Sequence, residues 1–233
     1  IHSSMKAIGE VEGGADTVLD AFISYMKDGL LLFPTHSWSE DNLANNIYNP
    51  KTEPSCVGIF TNLFMKKEGA LRSMHPTHSV TAMGKRAKEY ILRDSGHDVY
   101  TPCPRNGCFG GLYDEDAQIL FLGAPLTKNT YIHVLEEVKD IPNRINPKVR
   151  NIKLIYSEDD VREVEFYGHH STLGTISDRY GKLLLPMLDM DIAKEVKIGD
   201  ATSCLVDVKP MTDWVLDLLE ENRDLFSDYE PLI

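Results

Sequence analysis

Two short, unbroken apolar runs, GLLLFP and AQILFLG, constrain this chain more than any other feature. Each is bounded by breakers and is too short for an ordinary helix, so each reads as a strand buried on both faces. Such a strand must be covered on either side, and the covering elements are visible. GGADTVLDAFISYMKDG sets Val18, Leu19, Phe22, Ile23 and Met26 on one helical stripe behind the Gly13–Gly14 turn. VGIFTNLFMKK, KRAKEYILRD, TISDRYGKLLLPMLD and MTDWVLDLLEENRDLF repeat that spacing. KLIYSEDDVREVEFY alternates about an acidic turn and predicts a hairpin, and SCLVDVK predicts a further strand. THSWSEDNLANNIYNPKTEP and GHDVYTPCPRNGCFGG read as long loops. The expected architecture is a single α/β domain over residues 1–233, an α/β/α sandwich around a central mixed sheet.

The totals remove several function classes. With 42% hydrophobic and 26% charged residues, the chain has an ordinary globular composition. No apolar run reaches the roughly 18–20 residues a bilayer-spanning helix needs. A net charge of −12, from 24 bases and 36 acids, disfavours nucleic acid and anionic membrane as partners. Cys56, Cys103, Cys108 and Cys204 do not make the two matched pairs of a structural zinc site. Free thiols in a reducing cytoplasm are expected, and no metal. The sequence has no G-x-G-x-x-G, P-loop lysine, G-x-S-x-G or H-E-x-x-H.

Three histidine-bearing stretches carry the candidate chemistry. IHSSMKAIGEVEGG sets two hydroxyls beside a histidine ahead of a glycine turn, which suits a phosphate or an amide as well as a plain strand end. RSMHPTHS offers Arg72 as a fork for an anion, with His75 and His78 as bases, ligands or polar packing. NTYIHVLEE spaces Thr130, His133 and Glu136 three apart, on one face if a helix begins near Asn129. A histidine in a first helical turn is favoured in its neutral form, as a general base requires, and a carboxylate one turn on can orient it.

Taken in order, HSSMKAIGEVEGGADTVLDAF, GLLLFPTHSW, GIFTNLFMKKEGALRSMHPTHSVTAMG and ILFLGAPLTKNTYIHVLEE resemble the aminoglycoside 3-N-acetyltransferase family, whose fold is not the GNAT fold. The resemblance implies acetyl transfer from acetyl-coenzyme A to an amine of an aminoglycoside or similar small molecule. It makes His133 the general base, Glu136 its orienting partner and Thr130 a donor to the oxyanion. It places coenzyme A along Ser3, Ser4, Met5 and Lys6, with Arg72, Ser73, His75 and Ser79 completing the path. Glu40 and Asp41 are the expected acceptor-binding carboxylates. The chain departs from the family at EFYGHHSTLG, where His169 and His170 stand in place of an acidic cluster. The family's helix ahead of H-S-S is not represented either, which would leave a sheet edge bare. The same fold acting on another amine metabolite and a non-catalytic binding relative are the alternatives. A metal hydrolase built on His75, His78, His169 and His170 with Cys103 or Cys108 is a weaker one.

Overall fold

The computed structural model describes residues 1–39 and 42–232. The first half runs β1 (His2–Ser3), α1 (Met5–Ile8), α2 (Gly14–Tyr25), β2 (Leu30–Pro34), β3 (Ile47–Tyr48), α3 (Ile59–Phe64), β4 (Leu71–Arg72), β5 (Val80–Gly84), α4 (Ala87–Tyr90), β6 (Val99–Tyr100) and α5 (Gly111–Asp114). The second runs β7 (Gln118–Leu122), α6 (Ile132–Val138), β8 (Ile145–Ile155), β9 (Val161–His169), α7 (Leu184–Asp189), β10 (Ala193–Ile198), β11 (Ala201–Asp207) and α8 (Val208–Glu221).

The α/β class and mixed strand directions are as expected, but the strands divide among three hydrogen-bonded sheets rather than one. Their orders are β1-β7-β11-β10, β2-β5-β4 and β3-β8-β9-β6. The first is mixed, since β1 runs parallel to β7 while β11 runs antiparallel to it. The first two sheets abut without merging because β1 is only two residues long. It pairs with β7 at His2 and Ser3, and the Ile1 amine reaches across to the Leu32 carbonyl at 2.8 Å.

Strand β7 shows how the core is organised. Ile119 and Phe121 pack with Ile132 and Leu135 of α6 and Met211 and Val215 of α8. The alternate residues Leu120 and Leu122 pack with Leu19 of α2 and Phe60 and Phe64 of α3. A strand buried on both faces thus holds helices on both sides, each fully buried large side chain contributing about 1.5–3 kcal/mol.

Several elements are unassigned in the sequence or differ from its expectation. The helix expected over TISDRYGKLLLPMLD is a 3-10 stretch, Ile176–Leu183, followed by α7. Pro186 falls in the first turn of α7, where a backbone donor has no helical partner to lose. RSMHPTHS is a tight excursion at Pro76 between β4 and β5. Strand β10 carries no apolar alternation because Lys194, Glu195 and Lys197 face solvent on a sheet edge, where charge blocks further pairing.

Candidate active site

Strand β7 ends at Leu122, and Gly123, with a φ of 62°, turns the chain toward a short 3-10 segment, Leu126–Lys128. The Asn129 side chain accepts from the Tyr131 amide and turns the backbone into α6. Ile132, Val134 and Leu135 are buried, which fixes the rotation of α6 and leaves His133 partly open, with 13% of its side chain exposed. The helix begins at Ile132, not near Asn129, so Thr130 stands in the turn before it rather than on its face. Thr130 Oγ1 lies 3.1 Å from His36 Nε2.

His133 Nδ1 is 3.0 Å from Glu136 Oε2, one helical turn on. Two residues from other elements complete this contact. Tyr180 Oη is 2.9 Å from His133 Nδ1 and donates to Glu136 Oε2 at 2.8 Å. Arg144 Nε donates to Glu136 Oε1 at 2.5 Å. Glu136 is 1% exposed, and burial alone would raise its carboxyl. The hydrogen bonds from His133 and Arg144 and the Arg144 guanidinium charge outweigh burial and hold it below its ordinary value. A buried carboxylate that stays ionised can fix the imidazole so that its other nitrogen faces outward.

The histidine opens on a cavity of about 880 Å³. Thr130, His36, His78 and His169 stand on its wall with Ser3, Cys56 and Asn129. Lys128, Lys148 and Arg150 also line it, and no carboxylate does among the described residues. Burial drives the neighbouring imidazoles down, His36 and His169 to about 3 and His78 well below its ordinary value. The nearby histidines push in the same direction. These rings are therefore neutral at pH 7. The His169 ring centroid is 4.3 Å from that of His133.

Other residues singled out in the sequence lie elsewhere. Ser4 sits in the turn after β1, its amide bonded to the Leu122 carbonyl. Met5 packs beside α2, and Lys6 is exposed. Arg72 donates to Ser79 Oγ and to the carbonyls of Thr35, Pro50 and Glu53, which holds three segments together. His75 is buried with both nitrogens engaged, by the Thr101 carbonyl and by the Thr77 and His78 amides. Ser73 and Ser79 are buried in the same network. This loop turns its polar side chains inward because its buried backbone groups need partners. His170 is off the cavity, with its amide bonded to the Arg144 carbonyl. Glu40 and Asp41 lie outside the described residues. The hydrolase constellation does not assemble: the one group of three metal-capable residues among the described ones is His133, Glu136 and His169. Cys103 and Cys108 are buried thiols, raised well above their usual value by burial.

A histidine oriented by a buried carboxylate, at the wall of a cavity in an α/β scaffold, defines a site suited to proton transfer from a nucleophile. The profile of the aminoglycoside 3-N-acetyltransferase family matches residues 1–220. The chain belongs to this family. It is 25% identical over 246 aligned residues to aminoglycoside N(3)-acetyltransferase IX of Micromonospora chalcea, covering 94% of this chain and 85% of that enzyme. It is 32% identical over 165 residues to aminoglycoside N(3)-acetyltransferase III of Salmonella sp, covering 62% of this chain and 55% of that enzyme. The fold matches apo aminoglycoside acetyltransferase AAC(3)-IVa with a TM-score of 0.79 at 20% identity, covering 97% of this chain and 82% of that one. It also matches AAC-IIIb bound to CoASH, with a TM-score of 0.76 at 21% identity and coverage of 94% and 88%.

Proposed function

We propose that this chain is an N-acetyltransferase that moves an acetyl group from acetyl-coenzyme A to an amine of an aminoglycoside or similar small molecule. Family membership supports the reaction class. The observation that carries the mechanism is the His133–Glu136 pair, buttressed by Tyr180 and Arg144 and open to the cavity. The donor supplies an acetyl thioester. A cavity of about 880 Å³ with Lys128, Lys148 and Arg150 on its wall suits a long ligand carrying phosphates. Lys6 and Arg72 serve that purpose less well, since one is off the cavity and the other is engaged with carbonyls.

In this reading His133 takes a proton from the attacking amine through Nε2 while Nδ1–H is held by Glu136. The carboxylate stabilises the positive imidazole, and the same proton then passes to the departing sulfur. Thr130 donates to the carbonyl oxygen as negative charge gathers on it, with His36 fixing the hydroxyl. The use of acetyl-coenzyme A supports a cytoplasmic setting. The net charge of −12 supports a small-molecule acceptor over nucleic acid or anionic membrane. Among the described residues, no helix is long and apolar enough to cross a membrane.

A second reading keeps the reaction and changes the acceptor to an amine that is not a polycation. It is favoured by His169 in the wall and by the lack of a carboxylate among the described lining residues. Thiol release measured with kanamycin, gentamicin and a panel of simple amines separates the two readings. For His133→Ala we expect turnover to fall about 10²–10⁴-fold with its best acceptor. Turnover at near the wild-type rate would reject His133 as the base.

A further inference from the structure

At the base itself, the structure adds a third donor, His169, which acetyl transfer does not use, to the His133–Glu136 pair. One nitrogen each of His133 and His169 and one carboxylate oxygen of Glu136 lie within 4.8 Å of one another. We propose that these three residues form a binding site for a borderline divalent cation, zinc foremost, and that its occupation switches the base off.

Four observations carry this. His169 Nε2 is buried with no hydrogen-bond partner among the described residues, so a lone pair or a proton there is unsatisfied beside His133. Arg144 holds Glu136 Oε1, while Oε2 is turned to the imidazole and accepts from the Tyr180 hydroxyl, an outer-partner arrangement of the kind that orients carboxylate ligands. His133 and Glu136 come from one helical turn and His169 from the end of β9, so ligands from two elements converge on one point. Finally, both imidazoles and Thr130 line the cavity, which leaves an open coordination position. Two imidazoles and one carboxylate with an open position suit zinc at ligand distances of about 2.0–2.2 Å. Magnesium and calcium demand mostly oxygen ligands and are not matched. The cluster must contract slightly to close on an ion, and the Arg144 charge opposes a dication. The affinity expected is that of a reversible inhibitory site rather than a structural one.

The proton balance follows from the hydrogen bonds. For the ion to bond His133 through Nδ1, the proton shared with Glu136 must leave to solvent. For it to bond through Nε2, the lone pair that would accept the amine proton is taken. The base is lost either way. Ion binding stands independently of the acetyl-transfer reading, while the inhibition rests on it.

The test uses the full chain stripped of metal, with zinc chloride or magnesium chloride as the probe. Wild type and His97→Asn, a histidine outside the cavity, should gain several degrees of Tm with zinc and none with magnesium. His169→Asn and His133→Asn should lose the zinc shift, and either variant suffices should the other not fold. No zinc shift in wild type, or an undiminished shift in both ligand variants, would overturn the site. Zinc should also abolish thiol release, and EDTA should restore it. Zinc binding with full turnover would overturn the switch. Zinc binding by a chain that never turns over would support the site and reject the acetyl-transfer reading.

Discussion

At the residue scale, the proposed role of His133 as a base rests on a carboxylate that water cannot reach. Glu136 is held ionised against burial by His133 and by the Arg144 guanidinium, whose own side chain is 7% exposed. Removing the guanidinium leaves a buried charge unpaired. Arg144→Met should therefore destabilise the chain by about 3–5 kcal/mol in urea unfolding. The Glu136 carboxyl should then titrate higher, so the acid limb of the pH–rate profile should move toward neutral pH. A rate profile that keeps its wild-type shape would show that Arg144 only supports the fold. Thr130 makes the same point more simply. Its value lies in a hydroxyl fixed by His36, 94 positions earlier in the chain, and no helical spacing could have indicated that contact.

At the element scale, the first sheet depends on a tight turn. β10 and β11 are joined through Gly199 and Asp200, with Ile198 opposite Ala201. Gly199 has a φ of 58°, and a Cβ added there would lie 2.4 Å from the Ile8 carbonyl oxygen. The glycine thus sets the hairpin and allows the chain after α1 to approach it, where Asp200 donates its amide to that same carbonyl at 2.9 Å. Gly199→Ala should cost about 2 kcal/mol, seen as a lower urea midpoint at unchanged m-value. An unchanged midpoint would mean that the segment around Ile8 moves freely. The same scale explains why β10 escaped the sequence reading while β7 did not. β7 is apolar on both faces because helices cover both, whereas β10 lies at an edge and carries charges.

For the whole molecule, the concentration of buried histidines sets an acid limit. Burial holds His36 and His169 at about 3 against an ordinary 6.5, and it holds His2 and His78 well below that value. Below pH 6.5 the unfolded chain binds protons that the folded chain refuses, so stability is full above pH 6.5 and falls as pH drops toward 3. Glu136 adds to this only lower down, since its depressed carboxyl keeps its contribution until pH falls below the ordinary 4.5. Tm should be nearly level from pH 8 to 7 and decline progressively below 6.5. A level Tm down to pH 5 would show that these rings gain protons without cost.

Much of the architecture was legible because it follows from local rules. Unbroken apolar runs forced buried strands, the α2 stripe forced a covered helix, and the i,i+3 spacing of His133 and Glu136 brought imidazole and carboxylate together within one turn. Family motifs carried the reaction class. The division of the strands into three sheets was not legible, because strand pairing depends on partners far apart in the chain. The same holds for Tyr180, 44 residues from Glu136, and for Arg144, which sits in a loop with no pattern of its own. Arg72 and His75 looked like ligand contacts in the sequence, and the fold turned them inward to satisfy backbone carbonyls and amides. The sequence by itself determined which apolar runs had to be buried and which imidazole and carboxylate shared one helical turn. Only the tertiary structure decided which polar side chains faced the cavity, because that depends on which hydrogen bonds the packed chain had already used.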